Sequence, residues 1–288
     1  MTFIFDLIIF GLYNGSVWAL MALGFSLVYG VGGIMNLAHG MLYLFTGYLI
    51  IWLIVLFPAG LAGHLGAYAL AVVIMAIIGA MVYLVAIKPV EDKPVTILIM
   101  TFALALFLEQ LIRIVVGSTI NMVPTLVKGT INVEGTTVSI QSLVVMLASV
   151  IIVVVFTLFL KKTKVGNSIR AISQDRDAAR LMGINVNRYL MYTLMISTLL
   201  AALAAGVSLN NLLPEDGTSY LIVAFGVVIL GGLGSLEGSV IAAYIQGFVA
   251  QYVVLTFGTA YSGIVPGVVI VLILIIRPRG LFGKKERS

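Results

Sequence analysis

The sequence predicts an all-α membrane protein, a polytopic bundle of about nine transmembrane helices. Of its 288 residues, 61% are hydrophobic and 9% are charged, whereas soluble domains average about 45–50% apolar and about 25% charged residues. The apolar residues form continuous segments that suit a hydrocarbon core of about 30 Å, and not the short alternating runs of a transmembrane β-barrel. Residues 1–288 are therefore interpreted as a single membrane-embedded domain.

Nine apolar segments follow one another along the chain. They cover residues 3–31, 34–57, 66–88, 95–116, 141–161, 188–210, 219–234, 237–255 and 260–276. The seventh and eighth are short for a span, which needs about 20 residues. Several segments also contain glycine, so the pattern is consistent with eight to ten spans.

The distribution of Lys and Arg predicts the orientation. With residues 277–288 placed in the cytoplasm and the loops alternating, residues 88–94 and 161–188 also lie inside, and these three intervals carry 14 of the 16 basic residues. Cytoplasmic loops are the ones enriched in Lys and Arg. We therefore expect an outside N-terminus, a cytoplasmic C-terminus and an external loop at 117–140. Within that loop, GTINVEGTTVSI predicts a small hairpin.

Absent motifs exclude several functions. The chain has no GxxxxGK[ST] sequence, so it does not bind ATP through a P-loop. It has no cysteine and two histidines, which disfavours a transition-metal site. No span carries spaced arginines and no TVGYG filter is present, which argues against a voltage sensor or a K⁺ channel. The net charge of +5 belongs to loops beside the membrane, so it does not indicate nucleic acid as a partner.

The longest polar interval runs from Lys161 to Arg188. Within it, Asp175 is a typical N-cap residue, residues 176–182 have a helical pattern, and Gly183 is a typical helix stop. A loop that only sets topology needs neither a cap nor a stop. The pattern therefore favours a short helix that a cytoplasmic partner contacts, with a solvated topology loop as the alternative.

A second candidate region is GVGGIMNLAHG, residues 30–40, which interrupts the apolar pattern. Backbone at membrane depth must be hydrogen-bonded, so a broken helix there is tolerated only when it is buried in protein or lines a wet cavity. Asn36 and His39 would share a face if this part is helical. We assign Asn36, His39 and Gly40 to a substrate path, with a plain inner turn capped by Asn36 as the alternative.

Charged and amide side chains within the spans form the third group. Glu109 and Arg113 lie four residues apart in the fourth segment and can pair on one helix face. A lone charge in a span costs about 2.5–3.5 kcal/mol on insertion scales, so pairing or nearness to the outer interface is required. Two interpretations stay open for Glu109, a polar contact in the path or with a second subunit, and a structural pair at the outer boundary. Gln246 is a further candidate for the path.

Three motifs carry a resemblance to a known family. They are GIMNLAHG at 33–40, QDxxAAxLMGIN at 174–185 and GGLGSLEGSVIAA at 231–243. With these motifs in this order, the sequence resembles the inner-membrane permease subunits of branched-chain amino acid ABC importers, the LivH type. The family's coupling segment falls on Gln174, Asp175, Ala178, Ala179, Leu181, Met182, Gly183 and Asn185, with Arg176 inside it. Its membrane motif falls on Asn36, Ala38, His39 and Gly40.

The resemblance implies a non-catalytic transport subunit in a bacterial or archaeal cytoplasmic membrane. Such a subunit pairs with a second, LivM-like permease and holds no cofactor of its own. Two ATPase subunits, which bind ATP and Mg²⁺, dock on its cytoplasmic loops, and a periplasmic binding protein delivers the substrate. Permeases of the same type import urea or short-chain amides, so these substrates stay open, as does a self-sufficient secondary transporter.

Overall fold

The computed structural model describes residues 2–58, 60–208, 211–277 and 280–283 and shows a bundle of α-helices. The helices are α1 Thr2–Gly32, α2 His39–Ile54, α3 Leu61–Val82, α4 Pro94–Val116, α5 Ile140–Lys162, α6 Lys164–Gln174, α7 Arg176–Leu181, α8 Val186–Ser208, α9 Asp216–Gly231, α10 Leu236–Phe257 and α11 Val265–Ile276. A π-helical turn, Tyr83–Ile87, and a 3₁₀ turn, Lys88–Val90, extend α3, and a 3₁₀ turn, Thr259–Ile264, precedes α11.

Nine of these elements coincide with the nine predicted apolar segments, which confirms the polytopic helical bundle. Seven are long and apolar enough to cross a membrane: α1, α3 with its extension, α4, α5, α8, α10, and α11 with its preceding turn. The other two, α2 and α9, have 16 residues each, or about 24 Å at 1.5 Å per residue. The number of complete spans therefore stays a prediction.

The second and eighth predicted segments differ from the structure. The eighth was predicted to be short but corresponds to α10, which has 22 residues. The seventh is short, as predicted. The second segment was predicted as one apolar run over residues 34–57, whereas α2 begins at His39. Hydropathy detects apolar residues and not helical backbone, so the non-helical residues before His39 were counted into the span.

Helix α1 lies at the centre of the bundle. It packs most extensively against α10 and α8 and also contacts α5 and α9. Small residues make the close approach to α9 and α10 possible, and Ala19, Ala22, Ala242 and Ala243 are completely buried there. Where helices lack a hydrophobic driving force between them, such small residues allow tight van der Waals packing.

The two ends of the bundle differ in structure. At one end, here called the basic end, lie the end of α1, helices α6 and α7, and the turn between α9 and α10. The N–H groups of Leu281 and Phe282 donate there to the last two carbonyls of α9. At the other, here called the hairpin end, β1 Asn121–Met122 pairs with β4 Asn211–Leu212. The predicted hairpin is confirmed there as β2 Thr130–Val133 and β3 Thr136–Ser139. Most of the predicted cytoplasmic C-terminal tail, 278–279 and 284–288, lies outside the described residues.

Candidate functional site

The predicted short helix in the polar interval is confirmed as α7, and both of its ends are capped. The Asp175 carboxylate accepts hydrogen bonds from the backbone N–H groups of Asp177 and Ala178, both at 2.9 Å. At the other end Gly183 has a φ of +81°. Its N–H donates to the Arg180 carbonyl, and the Ile184 N–H donates to the Ala179 carbonyl, both at 3.0 Å. This is the Schellman arrangement that a glycine in the left-handed region permits.

The apolar residues of α7 face in two directions. Ala179 is buried, 4% exposed, against the core of the basic end. Leu181 and Met182 point away from the bundle and are 88% and 82% exposed. The remaining predicted coupling residues Gln174, Asp175, Ala178 and Gly183 are also exposed. The helix therefore presents an unpartnered Leu–Met pair beyond the basic end of the molecule.

Arg176 is the predicted coupling residue that turns inward. Its guanidinium is partly buried and donates to the carbonyl oxygens of Val31, at 3.4 Å, and of Gly32. These two carbonyls belong to the last turn of α1, where the helix leaves its final acceptors unpaired and carries partial negative charge. Arg176 thus connects α7 directly to the end of the central helix.

Residues 33–38 return from the end of α1 into the bundle without forming a helix. Gly33, with a φ of +58°, ends α1, and α2 starts at His39. The His39 imidazole contacts Met21, which lies about 16 Å along α1 from Gly32 at 1.5 Å per residue. An extended chain of this length reaches up to about 20 Å. The segment therefore runs back along α1 to membrane depth, and α2 begins there.

Side chains accept hydrogen bonds from the last two backbone N–H groups of this segment. The Leu37 N–H donates to the Thr101 hydroxyl of α4 at 3.2 Å. The Ala38 N–H donates to the Asn36 side-chain oxygen at 3.1 Å. Asn36 is 2% exposed and its side-chain nitrogen has no partner among the described residues. Asn36 therefore bonds locally ahead of α2 and does not share a helix face with His39, because residues 33–36 are not helical.

His39 is completely buried and joins three helices. Its Nε2 donates to the Met21 carbonyl of α1 at 3.0 Å, and its Nδ1 lies 3.4 Å from the Ser197 hydroxyl of α8. Its ring also packs edge-on against Phe25 at a centroid distance of 5.8 Å. These contacts give His39 a structural role at the beginning of α2 in this conformation.

Gly40 brings α2 against α9. A Cβ atom at Gly40 would overlap the backbone of α9 at Gly217 and Leu221. Only glycine lacks that atom, so only glycine allows the two backbones to approach this closely. Gly40 thus places the first turn of α2 beside the first turn of α9.

The predicted pair in α4 is confirmed and gains a second acidic partner. Arg113 donates to Glu109 at 2.8 Å and lies 3.7 Å from Glu215, the residue that precedes α9. The Glu109 side chain is 16% exposed, against 39% for Arg113 and 57% for Glu215. The cluster connects the last two turns of α4 to the beginning of α9.

A narrow crevice lies beside this cluster, between α2, α4 and the first turn of α9. Its polar lining is Glu109 and Thr218, with Gly217 between the helices. Its apolar lining is Leu37, Met41, Phe102, Ala105, Leu106 and Leu221. Of the residues predicted for a substrate path, Glu109 lines the crevice, and Gly40 packs against two lining residues, Gly217 and Leu221. Asn36 and His39 are buried and do not line it.

Gln246 lies in a different part of the bundle. Its side chain is completely buried, and neither its oxygen nor its nitrogen has a partner among the described residues. The amide lies over Gly226, so it is packed between α10 and α9. The structure does not bring Gln246 to the crevice.

Sequence reasoning missed Thr101, Ser197, Glu215 and Thr218. Each of them contacts or lines these regions, but each comes from a different part of the chain. Isolated hydroxyl residues are common in apolar segments, and nothing in the local sequence distinguishes these. Glu215 alone had a signal, since it stands in the acidic turn before a short span.

Comparison with known proteins gives a consistent result along almost the whole chain. Residues 7–274 match the family model described as "Branched-chain amino acid transport system / permease component". The chain is 29% identical to the high-affinity branched-chain amino acid transport system permease protein BraD of Pseudomonas aeruginosa, over 96% of this chain and 94% of BraD. It is 30% identical to the LivH permease protein of Escherichia coli, again over 96% of this chain and 94% of LivH.

A solved structure shares the fold at lower sequence similarity. It is PsaBC from Streptococcus pneumoniae in complex with Fab, with a TM-score of 0.52 and 15% identity. The match covers 94% of this chain and 91% of that one. At this identity the likeness concerns the helical arrangement and says nothing about the substrate.

Proposed function

Because the chain belongs to the family of permease components of branched-chain amino acid transport systems, we propose that it is the membrane-spanning permease subunit of a binding-protein-dependent ABC importer for branched-chain amino acids. It is a multi-pass protein of the cytoplasmic membrane. Its own chemistry is binding and gating, and it catalyses no reaction.

One structural observation supports the proposal above all others. Helix α7 is capped at both ends, exposes Leu181 and Met182, and is connected to α1 through Arg176. An exposed apolar pair on a stable short helix is suited to a groove in a partner protein. The basic residues around it favour a cytoplasmic location for this end under the positive-inside rule. ATPase subunits are therefore the proposed partners of α7.

The proposed assembly contains four kinds of subunit. This permease pairs with a second permease of the LivM type, and two ATPases dock on the basic end, one on each permease. A periplasmic binding protein delivers substrate to the hairpin end. ATP and Mg²⁺ are held by the ATPases, so the permease needs no cofactor. ATP binding brings the two coupling helices together, and Arg176 carries that movement to α1.

The experiment that tests the function is uptake by the assembled transporter in liposomes. With binding protein outside and ATP inside, we expect uptake of radiolabelled leucine, isoleucine and valine. Urea and acetamide serve as comparison substrates. Uptake of an amide in preference to leucine contradicts the proposed substrate. Uptake by this chain alone, driven by an ion gradient without ATPases, contradicts the proposed class.

A variant of the exposed pair tests the coupling helix. Leu181→Asp places a carboxylate where an apolar contact is expected, and an unpaired carboxylate in an interface is costly. We expect loss of ATPase copurification and a fall in uptake of at least about tenfold, since each 1.4 kcal/mol of binding is a factor of ten. Leu181→Met keeps the apolar surface and should behave like the wild type. Normal copurification of the aspartate variant contradicts α7 as the docking helix.

A further inference from the structure

The crevice between α2, α4 and α9 contains a carboxylate oxygen that is not engaged by the protein. Glu109 Oε1 accepts from Arg113 at 2.8 Å. Among the described residues, Glu109 Oε2 has no hydrogen-bond partner and is not one of the enclosed unpaired atoms. The crevice is lined by Glu109 itself. This oxygen is therefore not enclosed by the protein, and it belongs to a residue of the crevice lining.

The position of Glu109 along α4 places this oxygen within the membrane. Glu109 is seven residues before Val116, the last residue of α4, or about 10 Å at 1.5 Å per residue. A carboxylate that faces hydrocarbon is costly, and ionisable groups in spans face a water-filled cavity or pair with other charges. One oxygen of this carboxylate is paired with Arg113. The other requires water, a second subunit or a cationic ligand, so we expect the crevice not to face lipid.

The inner part of the crevice has room for a group the size of an ammonium, and an aliphatic side chain has room only at its apolar mouth. Leu37, Met41, Phe102 and Leu106 provide apolar walls, and the last two are 48% and 46% exposed at its mouth. The first turn of the 16-residue helix α9 forms the third side, with Gly217 and the Thr218 hydroxyl. That turn carries the positive end of the helix dipole, which the carboxylates of Glu215 at the N-cap and Asp216 in the first turn already offset.

We propose that Glu109 binds the ammonium group of the transported amino acid as it enters from the hairpin end, with the aliphatic side chain against the apolar walls. This inference rests on the proposed function and deepens it, because it assigns a substrate contact. It also explains selection for a zwitterion. An uncharged amide has no cation to pair with Glu109, so a site of this kind favours amino acids over urea or short-chain amides.

The test compares two ligands and three variants in the assembled transporter, without binding protein. The ligands are leucine and 4-methylpentanoate, which is leucine without its amino group. The wild type should bind leucine more tightly. Hydrogen bonds to charged groups are stronger than those between neutral groups, so Glu109→Gln should weaken leucine binding by about tenfold or more. It should leave binding of 4-methylpentanoate unchanged.

Two further variants separate binding from folding. Arg113→Gln breaks the same ion pair but keeps the carboxylate, so leucine affinity should not fall. The double variant with Glu109→Gln and Arg113→Gln removes both charges and should again lose the preference for leucine. Glu134→Gln, in the exposed turn of the hairpin, removes one carboxylate elsewhere and should match the wild type in all measurements.

Several results overturn the inference. One is equal leucine affinity in the wild type and in Glu109→Gln. Another is an equal loss of affinity for leucine and for 4-methylpentanoate in that variant. A third is a wild type that does not bind leucine more tightly than 4-methylpentanoate. If Arg113→Gln loses as much leucine affinity as Glu109→Gln, the ion pair is structural, and the inference is also overturned.

Uptake by the wild type shows whether the proposed function itself has failed. ATP-driven leucine uptake together with any of these results rejects the role of Glu109 and retains the permease assignment.

Discussion

Helix α7 and the beginning of α2 are both interruptions in an apolar chain, but they are stabilised in opposite ways. The caps of α7 come from residues 175–184, within and next to the helix. The beginning of α2 depends on partners that are far away in sequence. Leu37 bonds Thr101, 64 residues distant, and His39 contacts Ser197, 158 residues distant. A locally stabilised helix can move as a unit, whereas the beginning of α2 moves only with α1, α4 and α8.

The largest expected effect is at the beginning of α2. Gly40→Val forces a side chain into the backbone of α9 at Gly217 and Leu221. Backbone cannot rotate away as a side chain does, and overpacking costs about 1–3 kcal/mol or more. We expect loss of folded protein and of all uptake, measured by size-exclusion profile and thermal unfolding.

The matched control for Gly40 is Gly267→Val in α11, where a Cβ atom meets no heavy atom within 4 Å among the described residues. This control should fold normally. Equal stability of the two valine variants would show that the beginning of α2 does not depend on α9, and the contrast with α7 would disappear.

The second effect removes the end of α7 without disturbing the bundle. Gly183→Pro cannot adopt a φ of +81° and lacks the N–H that bonds the Arg180 carbonyl. We expect normal membrane insertion and normal thermal stability, with ATP-driven uptake abolished. Gly183→Asn tolerates the left-handed region and should retain most uptake. A loss of bundle stability in the proline variant would mean that α7 is not locally stabilised.

The third effect breaks the connection between the two regions. Arg176→Gln removes the charged donors to the last carbonyls of α1. Hydrogen bonds to charged groups contribute about 1.5–3 kcal/mol, so uptake should fall by about tenfold while ATPase copurification persists. Arg170→Gln is the control, because Arg170 is exposed and bonds only Asn167 in its own helix α6 and Lys161 at the end of α5 among the described residues. Equal effects of the two variants would assign the loss to charge alone.

The smallest effect tests the cap of α7. Asp175→Ala removes the acceptor for two backbone N–H groups, which costs about 0.5–2 kcal/mol. Uptake should fall a few-fold. Asp175→Asn retains a good N-cap, so its uptake should stay near that of the wild type. Asp177→Ala is a second control, because it removes a neighbouring acid that caps no N–H group among the described residues. A reduction in the asparagine variant equal to that in the alanine variant would show that charge, and not capping, is required.

Much of α7 could be predicted because its signals are local. Asp175, the helical run and Gly183 stand within nine residues, and each acts through its own backbone neighbours. The Glu109–Arg113 pair and the β2–β3 hairpin were predicted correctly for the same reason. The orientation of the termini stays a prediction, and so do the roles of the site residues.

The beginning of α2 could be predicted only in part. The glycines and polar residues of GVGGIMNLAHG indicated an interruption, and the structure has one. Whether Asn36 and His39 share a helix face depended on where helix resumes. The start of α2 is decided by the hydrogen bonds of Leu37 with Thr101 and of His39 with Ser197, and by the close packing of α9 against Gly40. The crevice was not predicted, because its lining comes from three separate helices.

The membrane class, the apolar segments, the family motifs and the capped short helix α7 are all properties of the sequence alone. They rest on hydropathy and on capping, which act within a few residues. The short α2, the contact of Gly40 with α9, the inward turn of Arg176 and the unenclosed oxygen of Glu109 were decided by tertiary structure. Their physical reason is shared. A polar group at membrane depth is costly without a partner, and the partners of Leu37 and His39 come from helices that are distant in sequence.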